Sequence, residues 1–227
     1  MAKKLFITAT GTDIGKTYVS GLIVKKMRES GFSCGYFKPV LSGAETNPIT
    51  HTPIPGDCAH VIKTAGLDVE PMDCLSYCFE DAVSPHLAAQ RAGVNISIDK
   101  IKSDYENLSK NYGYMLIEGA GGITCPIVVD DNKTYLMSDL VKEFEVGVLI
   151  VADGGLGTIN SVLTTVEYIK NRGINIKGII LNNFDKADFM HQDNLKMVEK
   201  LTGVKVVSTV GVNEENIDIK NLEGLFE

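Results

Sequence analysis

Three short stretches of this chain carry side chains that could handle phosphate. The first is Gly11-Thr12-Asp13-Ile14-Gly15-Lys16-Thr17. A glycine turn that opens directly into a helix aims backbone N–H groups and the positive end of the helix dipole at an anion. In such a turn Lys16 reaches the outer phosphates, and the Thr17 hydroxyl lies where Mg²⁺ takes an oxygen ligand. The usual G-x-x-x-x-G-K-[ST] spacing wants a glycine where Thr10 stands; here the glycine comes one residue later, at Gly11. The second stretch is Phe37-Lys38-Pro39-Val40-Leu41-Ser42-Gly43. Taken alone, Lys38 reads equally as a solvated strand end. Opposite a phosphate loop it becomes a second cation, useful because phosphoryl transfer spreads negative charge over several oxygens. Ser42 alone says little, since most loop serines only cap or bond locally. The third stretch is Glu118-Gly119-Ala120-Gly121-Gly122. A carboxylate that ends an apolar strand costs desolvation unless something pairs with it. Phosphate-bound Mg²⁺ is a natural partner, and the glycines let the backbone approach closely.

Other candidates carry two readings each. Asp57, in Pro55-Gly56-Asp57 ahead of an apolar-periodic run, reads first as a helix cap. His86, in Ser84-Pro85-His86, reads as structural or close to substrate, and its spacing offers no nucleophile. Asn182 and the Gly211-Val212-Asn213 stretch each follow a strand. An amide there could read a base edge by donating and accepting together, or merely shape the turn. Asp73, Asp81 and Asp99 read as surface or capping acids.

The elements that must position these groups alternate along the chain. Apolar runs predict strands over 5–10, 34–40, 114–119, 146–152, 177–182 and 205–210. Helical periodicity is seen over 16–30, 57–65, 84–92, 97–110, 135–143, 158–172 and 187–202. Runs such as Val146 to Ala152 are apolar almost throughout, as strands covered on both faces are. This alternation predicts an α/β fold, a doubly wound and mostly parallel sheet flanked by helices. Ligands in such sheets gather beyond the carboxyl ends of the strands. Between these elements, 43–56 is polar and carries Pro48, Pro53 and Pro55, which predicts a mobile loop near the site. Gly154 to Asn160 is a further glycine-rich turn into a helix.

Composition sets outer limits. A chain of 227 residues suits one domain, or at most two. A net charge of −7 argues against a nucleic-acid or membrane-surface partner. No apolar run approaches the ~20 residues of a membrane span. Met-Ala-Lys-Lys followed directly by a strand lacks the apolar region of a signal peptide, so a cytoplasmic location is expected. Cys34, Cys58, Cys74, Cys78 and Cys125 form no Cys-x-x-Cys pair, and the four histidines are scattered. Buried reduced thiols are the expectation.

Phe37-Lys38-Pro39 with Ser42-Gly43, Asp57, Ser84-Pro85-His86, Glu118-Gly119-Ala120-Gly121-Gly122, Gly157-x-x-Asn160 and Asn182 occur in one order behind Gly15-Lys16-Thr17. In this the chain resembles the dethiobiotin synthetases of biotin biosynthesis, from residue 5 to about residue 216. The resemblance implies a P-loop NTPase-like fold and one ATP-dependent synthetase domain over residues 1–227. It implies a cyclo-ligase that uses ATP and Mg²⁺ to close a ureido ring on 7,8-diaminononanoate with CO₂ or bicarbonate. One amine becomes a carbamate, the γ-phosphate turns this into a carbamic–phosphoric anhydride, and the second amine displaces phosphate to leave dethiobiotin and ADP.

The resemblance also implies roles. Lys16 and Lys38 are catalytic. Thr17, Asp57 and Glu118 hold Mg²⁺, which displaces the capping reading of Asp57. ATP lies along Asp13 to Tyr18 (Asp13, Ile14, Gly15, Lys16, Thr17, Tyr18), Asp57, Glu118, Gly119, Ala120, Gly121, Asn182, Gly211, Val212 and Asn213. Substrate meets Thr12, Lys38, Ser42, Gly155 and Asn160, the last two in a pocket shared across a homodimer. Two departures stand out: Ala9 replaces a frequent glycine, and Asp13 a frequent glutamate. The tail after residue 211 matches poorly.

Two rival families fit less well. Partition-type switch ATPases place a lysine early in the phosphate loop, where this chain has Thr10, Gly11 and Thr12, and they give no reason for Lys38 and Ser42. Larger amide-forming ligases carry a glutaminase domain, for which 227 residues leave no room.

Overall fold

The helix that follows the first strand and the strands on either side of that strand decide where this molecule can bind a ligand. The structure is a computed structural model that describes residues 2–50, 52–130 and 133–227. Its first half contains β1 (Lys3–Ala9), α1 (Lys16–Glu29), β2 (Cys34–Ser42), β3 (Glu45–Thr46), β4 (Pro53–Ile54), α2 (Gly56–Ala65), β5 (Leu75–Phe79), α3 (Pro85–Ala92) and α4 (Ile98–Ser109). The second half contains β6 (Tyr114–Gly122), β7 (Pro126–Val129), β8 (Thr134–Leu136), α5 (Met137–Glu143), β9 (Val148–Asp153), α6 (Thr158–Asn171), β10 (Ile176–Asn182), α7 (Phe189–Thr202) and β11 (Val206–Thr209).

Seven strands make one sheet in the order β11-β10-β9-β1-β6-β2-β5, with every neighbouring pair parallel. Each strand needs a crossover to reach the next, and helices supply it, so both faces of the sheet are covered. That is why β9 is apolar along most of its length, with Val148 to Ala152 all buried. The chain winds outward on one side of β1 and then on the other, so β1 lies at the point where the strand order reverses. Beyond the carboxyl end of such a strand a crevice opens. The α1 helix starts there and turns Val19, Leu22, Ile23 and Met27 into the core.

All six predicted strands and seven predicted helices are present, with shifts of one to three residues at their ends, and four differences have physical causes. β5 is a seventh strand that the apolar-run criterion passes over, because Leu75-Ser76-Tyr77-Cys78-Phe79 lies at the sheet edge and is only half-buried in its middle. β6 runs on through Gly122 instead of stopping at Gly119, its backbone still pairing with β1 at Ala9. The 43–56 stretch, expected as a loop, carries a small antiparallel pair, β3 with β4, closed by an Asn47 side chain that accepts from Ile49 and Thr50; His51 lies outside the described residues. Of the five cysteines, Cys34, Cys58 and Cys74 are buried as expected, but Cys78 and Cys125 are half-buried; all five are free thiols. Burial pushes the Cys34 and Cys74 thiols up to about 12.

At the opposite end of the sheet the segment 226–227 ties several strands together. Glu227 and Lys4 exchange backbone hydrogen bonds at 2.9 and 2.6 Å, and Lys177 donates to the Glu227 carboxylate at 2.6 Å. Phe226 is buried edge-on against Tyr114. Phe226→Ala is expected to cost about 3–5 kcal/mol of stability, the range for deleting a buried aromatic. In urea it lowers the unfolding midpoint with an unchanged slope, while an unchanged midpoint would mean that the segment adds nothing.

Candidate active site

β2 and β6 lie side by side with Phe37 opposite Ile117, so one residue further on Lys38 and Glu118 are neighbours. Side chains two apart on a strand share a face, which puts Tyr36 beside them. The Glu118 carboxylate is fully buried. Its Oε1 accepts from Lys38 Nζ at 2.7 Å and from the Thr17 hydroxyl at 2.8 Å, and its Oε2 accepts from the Tyr36 hydroxyl at 3.0 Å. Lys38 Nζ also pairs with Asp57 Oδ2 at 2.7 Å. Lys38 is 4 % exposed, whereas the Asp57 side chain is 40 % exposed and opens to the crevice.

Burial works against the Lys38 charge, but Glu118 and then Asp57 more than offset it, so Lys38 holds its proton above the ordinary lysine range. Lys16 shows the reverse balance. Burial lowers its pKa, Glu118 opposes that, and the Lys38 charge adds to the lowering. Its Nζ donates to the Gly11 carbonyl at 3.2 Å, within the loop it serves. Burial and the adjacent Glu118 charge hold the Tyr36 phenol protonated far above its usual pKa.

The phosphate loop is fixed from behind. Gly15 takes φ 92°, a left-handed conformation, and caps α1. A Cβ on it would sit 2.1 Å from Asn182 Nδ2, because the Asn182 amide reaches across to donate to the Ile14 carbonyl at 2.9 Å. Asp13 also lies in the left-handed region, at φ 57°. Short Asp tolerates that region better than a longer side chain, which gives the Asp13 departure a backbone reason.

A cavity of about 790 Å³ lies over these groups. It brings together eleven of the residues singled out from sequence: Thr12, Asp13, Gly15, Lys16, Thr17, Lys38, Ser42, Asp57, Glu118, Ala120 and Gly121. Asp57 stands in the first turn of α2 and makes no cap, since the residue before the helix is Pro55 and the Asp57 side chain faces Lys38. The capping expectation is corrected on that geometry.

Other residues lie away from the cavity. Gly119 packs against Phe6 and Met137 in the core. Ile14 and Asn182 lie behind the loop. Tyr18, on α1, donates to the Glu214 carbonyl at 2.7 Å, and the Glu214 carboxylate accepts from the Gly211 N–H at 2.6 Å. Gly211, Val212 and Asn213 therefore form a turn beside the start of α1, with Val212 exposed. Gly155 lies in the turn into α6 and Asn160 in the first turn of that helix. Asp153 accepts from the Gly155 N–H there, Asn194 donates to the Gly154 and Gly155 carbonyls, and Leu156 is 93 % exposed.

Sequence reading passed over Tyr36, Cys125 and Glu214. Tyr36 had a usable signal, its two-residue offset from Lys38 on a strand. Glu214 had none, because its partner is set by the fold of a turn. Ser84, read only as a helix start, lines the cavity, and its hydroxyl lies 3.0 Å from His86 Nδ1.

The donor set suits a hard cation. One hydroxyl (Thr17) and two carboxylates (Asp57 and Glu118) converge, and the Lys38 ammonium already stands between the carboxylates as a positive charge. Among the described residues no three His, Cys, Asp or Glu side chains gather as a metal cage. Mg²⁺ bound with phosphates commonly takes only one or two carboxylates, so these residues fit it. No helix among the described residues is long and apolar enough to cross a membrane.

Comparison with known proteins extends the picture. A family model described as an AAA domain matches residues 3–218. A protein of Brachyspira hyodysenteriae named ATP-dependent dethiobiotin synthetase is 48 % identical over 227 residues, covering all of both chains. One of the same name from Clostridium perfringens is 46 % identical over 98 % of this chain and 97 % of its own. Another, from Clostridium botulinum, is 42 % identical over 100 % and 99 %. Among solved structures, a ParA family ATPase from Chlorobium tepidum has a TM-score of 0.53 at 16 % identity, over 92 % of this chain and 83 % of that one. Cell division protein FtsY from Thermotoga maritima has a TM-score of 0.52 at 17 % identity, over 99 % and 67 %. At such identities the structural likeness shows the fold alone.

Proposed function

The chain belongs to the family of ATP-dependent dethiobiotin synthetases, and from that premise we propose how its residues divide the work. The enzyme is a ligase of biotin biosynthesis that uses ATP to make dethiobiotin from 7,8-diaminononanoate and CO₂. In the reaction one amine takes up CO₂ as a carbamate, whose oxygen attacks the γ-phosphate and expels ADP. The second amine then attacks the carbonyl of the mixed anhydride, and phosphate leaves.

The observation that carries the residue assignment is the placing of Lys38. It lies in the crevice wall opposite the phosphate loop, with Ser42 further along the same strand and lining the same cavity. Lys16 and the N–H groups at the start of α1 hold the outer phosphates. Lys38 stands between γ-phosphate and carbamate, where two anions must meet and repulsion would otherwise dominate. Ser42 and Thr12 orient the carbamate by hydrogen bonds. Thr17, Asp57 and Glu118 hold Mg²⁺, which when bound neutralises charge on the phosphate oxygens. Asn182 and the 211–213 turn flank the base. No side-chain nucleophile is required.

Gly155 and Asn160 do not line the cavity of their own chain, and Leu156 beside them is exposed. This supports a homodimer in which that turn meets the substrate carboxylate of the neighbouring subunit. The reading includes one synthetase domain over the whole chain and a cytoplasmic location, where ATP is supplied; it includes no nucleic-acid or membrane partner.

Purified protein with Mg-ATP and bicarbonate is expected to release phosphate only when 7,8-diaminononanoate is added, one for one with dethiobiotin in the mass spectrum. Hydrolysis that ignores the diamine would overturn the reading and turn the search to protein partners.

A further inference from the structure

We infer that Tyr36 is a positioning residue for the metal-binding carboxylate: its hydroxyl, bonded to one oxygen of Glu118, fixes the angle at which the other oxygen is presented to Thr17 and the cation. This rests on the assignment of Glu118 to Mg²⁺ above. The terminal torsion of a glutamate is broad, so nothing in the side chain itself holds the carboxylate plane at one angle. Here the angle is set from outside. Among the described residues Tyr36 is the one donor to Oε2, at 3.0 Å, while Lys38 and Thr17 both use Oε1. Tyr36 is 1 % exposed and Glu118 fully buried, so no solvent competes for that bond. The phenol ring is held by its strand two residues before Lys38, on the same face, and its position therefore follows the backbone that places Lys38.

Without the hydroxyl, Oε2 is a buried acceptor with no donor. The carboxylate either bears that cost or turns until Oε2 reaches Lys38, and turning moves the oxygen a cation would meet. Outer partners of this kind typically affect metal affinity by about 10–100-fold. Tyr36 does not line the cavity and acts through Glu118.

The test is Mn²⁺ binding, followed by the electron paramagnetic resonance of free Mn²⁺, in the full chain with the unreactive nucleotide AMPPNP. Y36F is expected to weaken Mn²⁺ binding by about 10-fold or more, with metal-free AMPPNP affinity unchanged. E118Q is expected to weaken it further, and the double variant Y36F/E118Q to be no weaker than E118Q. Wild-type Mn²⁺ affinity in Y36F, with loss in E118Q, overturns the role of Tyr36 and leaves Glu118 as the ligand. Wild-type affinity in E118Q overturns the Glu118 assignment and this inference with it. A second readout does not depend on Y36F folding. With 3-fluorotyrosine at position 36 alone, the fluorine resonance is expected to shift when Mg²⁺ joins the AMPPNP complex; an unmoved resonance also overturns the inference.

Discussion

Lys38→Met is expected to lower turnover by at least ~10²-fold, the usual effect of losing one transition-state donor. It is also expected to leave the metal-free protein about 3–5 kcal/mol less stable, because a buried pair is broken from one side. Both effects come from the same geometry. Lys38 lies 2.7 Å from each of two carboxylates, one of them fully buried. Methionine is unbranched and lacks only the terminal nitrogen position, so the loss is chiefly of charge and not of packing. The remaining donors to Glu118 are the hydroxyls of Thr17 and Tyr36, which are neutral. Mg²⁺ should then restore part of the stability of the variant while restoring little turnover, since it would neutralise the carboxylates without supplying the cation between γ-phosphate and carbamate. Phosphate release at saturating substrates and urea unfolding with and without Mg²⁺ measure the two arms. Near-normal turnover in the folded variant would remove Lys38 from the reaction, and unchanged metal-free stability would mean that Glu118 does not depend on it.

The wild-type arrangement carries a second consequence. A lysine that bridges Asp57 and Glu118 occupies the space between two carboxylates that would bind Mg²⁺. On the proposed assignment the Lys38 ammonium would have to give up that space, and the direction open to it is the crevice. One side chain would then keep the buried carboxylate paired before ATP arrives and would be available to the reacting groups afterwards.

How much of this could be read from the chain depended on the range of the interaction involved. The phosphate loop was legible because its parts are contiguous: an apolar strand, a glycine turn and a helix carrying Lys16 and Thr17. Lys38 and Glu118 were legible because each closes an apolar run and an ionisable group in a buried strand needs a partner, although β2 and β6 both continue four residues beyond them. That they are partners of each other was not, since it depends on β2 lying next to β6, a pairing set by a crossover through β5. Asp57 reads as a cap from its own neighbours for the same reason, and only the family resemblance moved it to the site: its sequence neighbours point to helix initiation, and its spatial neighbour is nineteen residues away on another element. β5 escaped notice because an edge strand need not be apolar throughout. Tyr36 lay within reach of a period-two argument once Lys38 had been placed, but a tyrosine in an apolar strand is ordinarily core. The turn at 211–214 stays hardest, because one half of each contact is a backbone group that any residue carries: the Tyr18 hydroxyl donates to the Glu214 carbonyl, and the Gly211 N–H donates to the Glu214 carboxylate.

Gly15→Ala is expected to weaken ATP binding by about 10-fold or more, the equivalent of a backbone cost of roughly 1–2 kcal/mol with the collision added to it. Two costs fall on this position together. The backbone at φ 92° is unfavourable for any residue with a Cβ, by roughly 1–2 kcal/mol. The Cβ would also lie 2.1 Å from Asn182 Nδ2, far inside any non-bonded contact of two heavy atoms. Something must yield: either α1 starts later and carries Lys16 and Thr17 out of place, or Asn182 turns aside and gives up the Ile14 carbonyl. The double variant G15A/N182G separates the two, because it removes the collision and keeps the backbone cost. Calorimetric titration with ATP should find the double variant tighter than G15A and weaker than wild type. If N182G alone binds ATP as wild type does and the double variant is no tighter than G15A, the left-handed backbone alone sets the loop. If G15A itself binds as wild type does, the phosphate loop is not held from behind by Asn182, and the link between the end of β10 and the start of α1 has no part in binding.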